Sequence, residues 1–244
     1  MNPPTFTAPP SVLARIAGVE SGSGLVAVAE VELPGEPDWW RGGEGGPTPT
    51  AAAALPSSSP PAPLPSRLLA LDGVQDPGNV GALARAAAAL GWDGLILLPG
   101  CADPWSAKAV RAARGAAGWR LPTVAVSGGG GGGAAAAAAA VRLRALADRA
   151  GLVVLAADAS AGAPRPASTA SPAIAATARG VCLVLGSEGQ GLSPAVAAVC
   201  DASVAIPMPG GLESLNVGQA GAILMFALSE GGVREGLMAR LHGE

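Results

Sequence analysis

The chain of 244 residues contains no tyrosine, two phenylalanines, three asparagines and a single lysine, Lys108. Charged residues make up 14% of it, about half the usual share of a globular chain. Cysteine occurs only at Cys101, Cys182 and Cys200. An odd number at wide spacing is neither a disulfide framework nor a zinc-ligand pattern, and it suits a reducing compartment. Each cysteine reads as a small buried hydrophobe. No apolar run approaches the roughly 20 residues of a membrane span, the longest being Ala220–Leu228. The opening MNPPTFTAPP lacks the basic and apolar regions of a secretory signal. An intracellular site is therefore expected, and because the stretch is also free of acids, as organelle transit segments are, it is either the cytoplasm or an organelle such as a plastid or mitochondrion.

Alanine, arginine, glycine (36) and proline (23) take the place of what is missing. This is the drift of a GC-rich coding sequence and says little about function. It does make the survivors of the depleted types stand out. Two of the three asparagines, Asn79 and Asn216, lie in polar turns that follow apolar runs. The glutamines Gln75, Gln190 and Gln219 lie within or next to the same turns.

A net charge of −3 argues against a protein that grips nucleic acid through bulk positive potential. Locally the sign reverses. Between Pro104 and Ala147 the chain carries Lys108, Arg111, Arg114, Arg120, Arg142 and Arg144 and no acid.

Organisation follows from composition. Residues 42–66 are dense in Pro, Ser and Gly without apolar periodicity and read as a flexible linker. Low-complexity insertions are expected near 127–140 and 159–178, the first leading into a helix. Between them, apolar runs at 67–71, 94–98, 121–126, 152–156, 181–185 and 202–206 alternate with helical stretches at 79–90, 105–117, 136–150 and 213–229. Continuous apolar strands separated by helices predict an α/β domain with a mainly parallel sheet and flanking helices. The expected layout is a partial N-terminal segment (1–41), the linker, a main domain (67–232) and a tail (233–244).

Three polar turns follow three of the predicted strands. In the first, DGVQDPGN, Asp76-Pro77-Gly78 reads as a turn and Asn79 as a helix N-cap. Val80, Leu83, Ala87 and Leu90 then form a buried stripe, and at about 100° per residue Arg85 falls nearly opposite it. The segment reads either as a capped helix with a solvated arginine, or as Asn79 and Arg85 facing a ligand at the end of the sheet. The second turn, GSEGQG, has neither nucleotide-loop spacing, and its acid would repel a pyrophosphate. It suits a neutral or cationic ligand. In the third, IPMPGGLESLNV, Pro207 and Pro209 end a strand, and Ser214 and Asn216 stand at a helix mouth with free backbone N–H groups.

Taken together, DGVQDPGNVGALARAAAALG, KAVRAARGA with its following LP, LVLGSEGQGLS and IPMPGGLESLNVGQAGAILMFAL resemble the signature of the SpoU (TrmH-like) RNA ribose 2′-O-methyltransferases. Residues 12–33 resemble only the closing stretch of the ribosomal-protein-like substrate domain that often precedes it. The resemblance implies a C-terminal trefoil knot, S-adenosyl-L-methionine as cofactor, an RNA substrate, a homodimer with the site at its interface, and no metal or membrane.

By residue, the resemblance implies catalytic roles for Asn79, Arg85, Glu188, Ser214 and Asn216. It implies cofactor contacts from Leu185, Gly186, Glu188, Gly189, Gly191, Ile206, Met208, Ser214, Leu215 and Asn216. Lys108, Arg111 and Arg114 would hold RNA phosphates. Because free arginine has a pKa above about 12, Arg85 is expected to orient the 2′-hydroxyl and stabilise the developing alkoxide rather than act as a lone base. The chain departs from the family pattern at Gly218-Gln219, where a small polar residue is usual, and at Arg114, where a small residue is commoner. Methylation of rRNA is expected ahead of tRNA. The alternatives are a tRNA 2′-O-methyltransferase and a catalytically inactive RNA-binding assembly factor.

Overall fold

Every predicted apolar run forms a strand in the computed structural model, which describes residues 37–41, 64–114, 120–126, 133–157, 179–212 and 214–229. The strands are β1 (Arg67–Asp72), β2 (Gly94–Leu97), β3 (Thr123–Ala125), β4 (Leu152–Ala157), β5 (Gly180–Gly186) and β6 (Ala202–Val204). The helices are α1 (Asp38–Arg41), α2 (Pro77–Ala89), α3 (Ala107–Ala113), α4 (Gly133–Ala150), α5 (Pro194–Ala197) and α6 (Val217–Ala227). No described helix is long and apolar enough to cross a membrane.

All neighbouring strands pair in parallel, in the order β3-β2-β1-β5-β4-β6. Side chains alternate between faces along each strand. Leu69 and Leu71 therefore join one core layer, with Leu83, Leu185, Leu224 and Met225. Leu68 and Ala70 join the other, with Ile96, Leu143, Val154 and Val184. With both faces covered, the strands carry no polar alternation, which is why they read as unbroken apolar runs.

Strand order departs from chain order. β5 is inserted between β1 and β4, and β6 lies outside β4. From that edge the chain returns to set α6 against α2 and β5. Gly221 permits the contact, since a Cβ there would lie 2.3 Å from Leu83 Cδ2 and 2.6 Å from Leu185 Cδ1. Gly81 does the same for α2 and α3, where a Cβ would come within 2.2 Å of the Ala109 carbonyl oxygen.

Trp39 and Trp40 fall within the N-terminal segment expected from the sequence, yet both are buried in the second core layer. Trp39 lies over Gly94, where a Cβ would fall 2.5 Å from its ring. The Arg149 guanidinium donates to the Trp39 carbonyl, and Arg142 sits 4.6 Å from the centre of the Trp40 ring. The remainder of the expected N-terminal segment (1–36), linker residues 42–63, insertion residues 127–132 and 159–178, and the tail 233–244 lie outside the described residues.

Candidate active site at the carboxyl edge of the sheet

Parallel strands bring their carboxyl ends to one edge, so the turns after β1, β5 and β6 meet there although the sequence separates them widely. The meeting point is a carboxylate. Glu188 Oε1 accepts from Asn79 Nδ2 at 2.6 Å and from Asn216 Nδ2 at 2.9 Å. The two asparagines also bond each other, Asn216 Nδ2 to Asn79 Oδ1 at 3.3 Å.

Asn79 reaches this position because it does not cap its helix. The cap expected at Asn79 is Asp76, whose Oδ1 accepts from the Gly78 N–H at 3.0 Å. The sequence carried the signal: proline favours the first helical position, which puts the cap just before Pro77. Asn79 instead sits inside the first turn with its amide free to face Glu188. Asn216 does both jobs. Its Oδ1 caps α6 through the Gly218 N–H at 2.9 Å, and its Nδ2 serves Glu188. A Cβ at Gly218 would lie 3.0 Å from that Oδ1, so the departure from the family pattern leaves room around the cap.

Lys108 is not a lone surface cation. Its Nζ lies 2.5 Å from Asp76 Oδ1. This bond, and next the Gly78 N–H, hold the Asp76 carboxyl below its ordinary value of 3.8. Arg111 and Arg114 are exposed on and just after α3, and Arg114 ends that helix in the left-handed region at φ 48°. Arg85 is exposed on α2. Six residues separate it from Asn79, which is about 9 Å along the axis and about 120° around it. It therefore stands apart from the asparagine–glutamate cluster within one subunit.

The loop after β5 presents mostly backbone. Gly186 lets it fold back on itself, since a Cβ there would fall 2.3 Å from the Gly191 carbonyl carbon. Nothing lies within 4 Å of a Cβ position at Gly189 or Gly191, so a ligand can approach the main chain directly. Leu185 is buried, Ile206, Met208 and Leu215 are half-buried, and Ser214 is exposed two residues before the α6 cap.

A cleft of about 1010 Å³ opens over the ends of β1, β2, β3 and β5. Of the expected site residues it takes in Asn79, Glu188, Gly189 and Gly191; its lining does not include the segment 206–216 or Arg85. It also draws in groups not singled out in the sequence, among them Asp72, Asp103 and Ser193. Asp72 is buried and accepts from the Ser193 N–H at 2.6 Å, which ties β1 to the loop after β5. The Ser193 hydroxyl is buried with no hydrogen-bond partner. Cys101 gives its thiol to the Leu71 carbonyl, and burial pushes its pKa up to about 11. Among the described residues no three His, Cys, Asp or Glu side chains form a metal-binding group.

A parallel sheet covered on both faces, with a polar cluster at its carboxyl edge, defines a doubly wound α/β protein with one ligand-binding edge. The chain belongs to the SpoU rRNA Methylase family, whose model matches residues 66–226.

It is 35% identical over 159 residues to the 23S rRNA (guanosine-2′-O-)-methyltransferase RlmB of Xanthomonas campestris, covering 65% of this chain and 56% of that protein. It is 35% identical over 166 residues to an uncharacterized tRNA/rRNA methyltransferase of Mycolicibacterium paratuberculosis, covering 68% of this chain and 48% of that one. The chain thus spans about half the length of the curated relatives it matches. Among solved structures it is similar to the SpoU methyltransferase AviRb from Streptomyces viridochromogenes in complex with AdoMet. There the TM-score is 0.53 at 27% identity, over 75% of this chain and 62% of that one. It is also similar to the AdoMet-bound rRNA methyltransferase from Sinorhizobium meliloti, with a TM-score of 0.51 at 29% identity over 67% of this chain and 56% of that one.

Proposed function

We propose that the protein transfers a methyl group from S-adenosyl-L-methionine to a ribose 2′-hydroxyl in RNA, with rRNA ahead of tRNA as substrate. The observation that carries this reading is the convergence of Asn79, Glu188 and Asn216 on one carboxylate oxygen, within the span matched by the family.

The residues present fit the cofactor. A sulfonium is a cation, and the loop that would meet it carries Glu188 and no base. The open backbone at Gly189 and Gly191 suits a ligand held through main-chain groups. Gly186, Leu185, Ile206, Met208, Ser214 and Leu215 would complete that site, in the knotted arrangement the family resemblance implies. Bound there, S-adenosyl-L-methionine supplies an electrophilic methyl group.

The chain's own residues then have to place a hydroxyl in line with that group. Glu188 holds the two asparagine amides in fixed orientation, and Asn79 keeps its position because Asp76 caps α2 in its stead. Arg85 orients the 2′-hydroxyl and stabilises the negative charge that develops on its oxygen; a preorganised donor of this kind contributes about 3–4 kcal/mol. Lys108, Arg111 and Arg114 contact RNA phosphates, which makes affinity fall with salt.

The proposal extends to a homodimer. Ile223 and Phe226 are exposed, at 46% and 65%, on α6 beside α2, where a second copy would cover them. The family resemblance implies that the site lies at such an interface.

Ribose-methylation mapping tests the reading, because a 2′-O-methyl group blocks alkaline cleavage of the adjoining phosphodiester. A single new protected position in RNA treated with protein and cofactor is expected. Unchanged rRNA and tRNA maps, with no cofactor binding, would support the assembly-factor alternative instead.

A further inference from the structure

The cleft over β1, β2, β3 and β5 extends beyond the residues assigned to methyl transfer, taking in Val74, Leu97, Pro99 and Asp103 as well. It stands where strand order reverses, since the chain winds outward from β1 to β2 and β3 on one side while β5 and β4 lie on the other. Open α/β sheets bind ligands at such switch points. Of the residues expected to hold the cofactor it shares only Glu188, Gly189 and Gly191, and its lining takes in none of the segment 206–216.

We propose that this cleft receives the nucleobase of the target nucleotide, read along an edge of N–H donors by the Asp103 carboxylate. The inference rests on the RNA-methylation reading and assigns the base of that substrate a place. The lining chemistry selects the ligand. Among the described residues it includes Asp72, Asp76, Asp103 and Glu188 and no lysine, arginine or histidine, which turns away a phosphate and favours donors. Its apolar walls, from Val74, Leu97, Pro99 and Pro104, suit the faces of a flat ring.

The carboxylates are not equivalent. Asp72 is occupied by the Ser193 N–H, Asp76 by Lys108 and Gly78, and Glu188 by the two asparagines. Asp103 is exposed and is held by the Trp105 N–H at Oδ1, 2.9 Å away, an arrangement that fixes its position at the rim. Two adjacent donors on one edge match the two oxygens of a carboxylate, and guanine offers such a pair in its N1–H and 2-amino group. The rim runs directly into α3, so a strand whose base enters the cleft would carry its phosphates past Lys108 and Arg111.

The test is ligand-observed NMR on the whole chain with guanosine, inosine and uridine, with and without saturating S-adenosylhomocysteine. Guanosine is expected to bind in the presence of S-adenosylhomocysteine, and inosine, which lacks the 2-amino group, about tenfold more weakly. Asp103→Asn keeps an acceptor for the Trp105 N–H but loses the charge. It should weaken guanosine about tenfold and remove the preference over inosine. Ala125→Trp, at an exposed position of the edge strand β3, fills the cleft without entering the core and should abolish nucleoside binding. Displacement of guanosine by S-adenosylhomocysteine, unchanged binding in both variants, or no nucleoside binding at all would overturn the proposal. Failure of the unmodified chain to bind S-adenosylhomocysteine would overturn the methyltransferase reading itself, which keeps the two failures distinct.

Discussion

Asn79 donates to Glu188 Oε1 at 2.6 Å across 109 residues of sequence, and Asn216 donates to the same oxygen. One charged acceptor thus fixes two amides from different helices. Glu188→Gln keeps an oxygen but removes the charge, and bonds to charged groups contribute about 1.5–3 kcal/mol where neutral ones give about 1. We expect kcat/KM for RNA methylation to fall roughly tenfold to a hundredfold. The melting temperature should hold, because the Glu188 and Asn216 side chains are exposed. A parallel loss of melting temperature in Glu188→Gln would show the cluster to be structural instead.

Arg85 stands apart from that cluster, so its substitution should separate chemistry from cofactor binding. For Arg85→Lys we expect kcat to drop about a hundredfold or more while S-adenosyl-L-methionine binds as before. Calorimetric titration of the cofactor alongside single-turnover kinetics measures both. If the lysine variant keeps most of its turnover, planar guanidinium geometry is not what the step requires.

Trp40 is 4% exposed and packs with Leu143, Leu146 and Val184 although it precedes the linker. Truncating a buried tryptophan typically costs about 3–5 kcal/mol. Trp40→Ala should lower the denaturant midpoint of the main unfolding transition by a corresponding amount. An unchanged midpoint would mean that residues 37–41 contribute nothing to the stability of the domain.

Asp76 makes a pH-dependent contribution of predictable sign. Its folded pKa lies below 3.8 because Lys108, and next the Gly78 N–H, favour the charged form. The stabilisation is therefore fully present above the unfolded value and is lost as pH falls through the lower folded one. Asp76→Asn retains a good capping side chain but not the ion pair. Its melting temperature should trail the parent's at pH 7, and the gap should close once the pH drops below the folded pKa. A gap that persists in strong acid would place the effect on something other than the carboxylate charge.

Cys182 is expected to resist alkylation in the folded protein, since burial raises its pKa to about 12 and the thiolate is the nucleophile. Mass mapping after iodoacetamide treatment at neutral pH should find it unmodified until denaturant is added. Rapid labelling without denaturant would indicate local opening of β5.

Much of the architecture was legible residue by residue. The strands announced themselves because burial on both faces removes polar alternation, and α2 and α6 because polar turns precede apolar stretches. The cap of α2 falls three residues before the one expected, because Asn79 and Asp76 are both good capping side chains and only the proline between them breaks the tie. The pairing of Lys108 with Asp76 was not legible, because the two lie 32 residues apart in the chain. Trp39 and Trp40 looked detached because low-complexity sequence follows them, and composition carries no record of where a chain returns.

The sequence by itself determined the class of fold, the family, and the three polar turns from which a site could be made. These depend on short-range regularities: strand and helix periods, prolines and glycines at turns, and motifs contiguous in the chain. Only the tertiary structure decided that β5 lies between β1 and β4, that Glu188 joins two asparagines, that Arg85 stands away from them, and that a cleft opens beside Glu188. Those facts depend on which strand ends become neighbours, and parallel pairing joins residues whose separation in sequence places no limit on their distance in space.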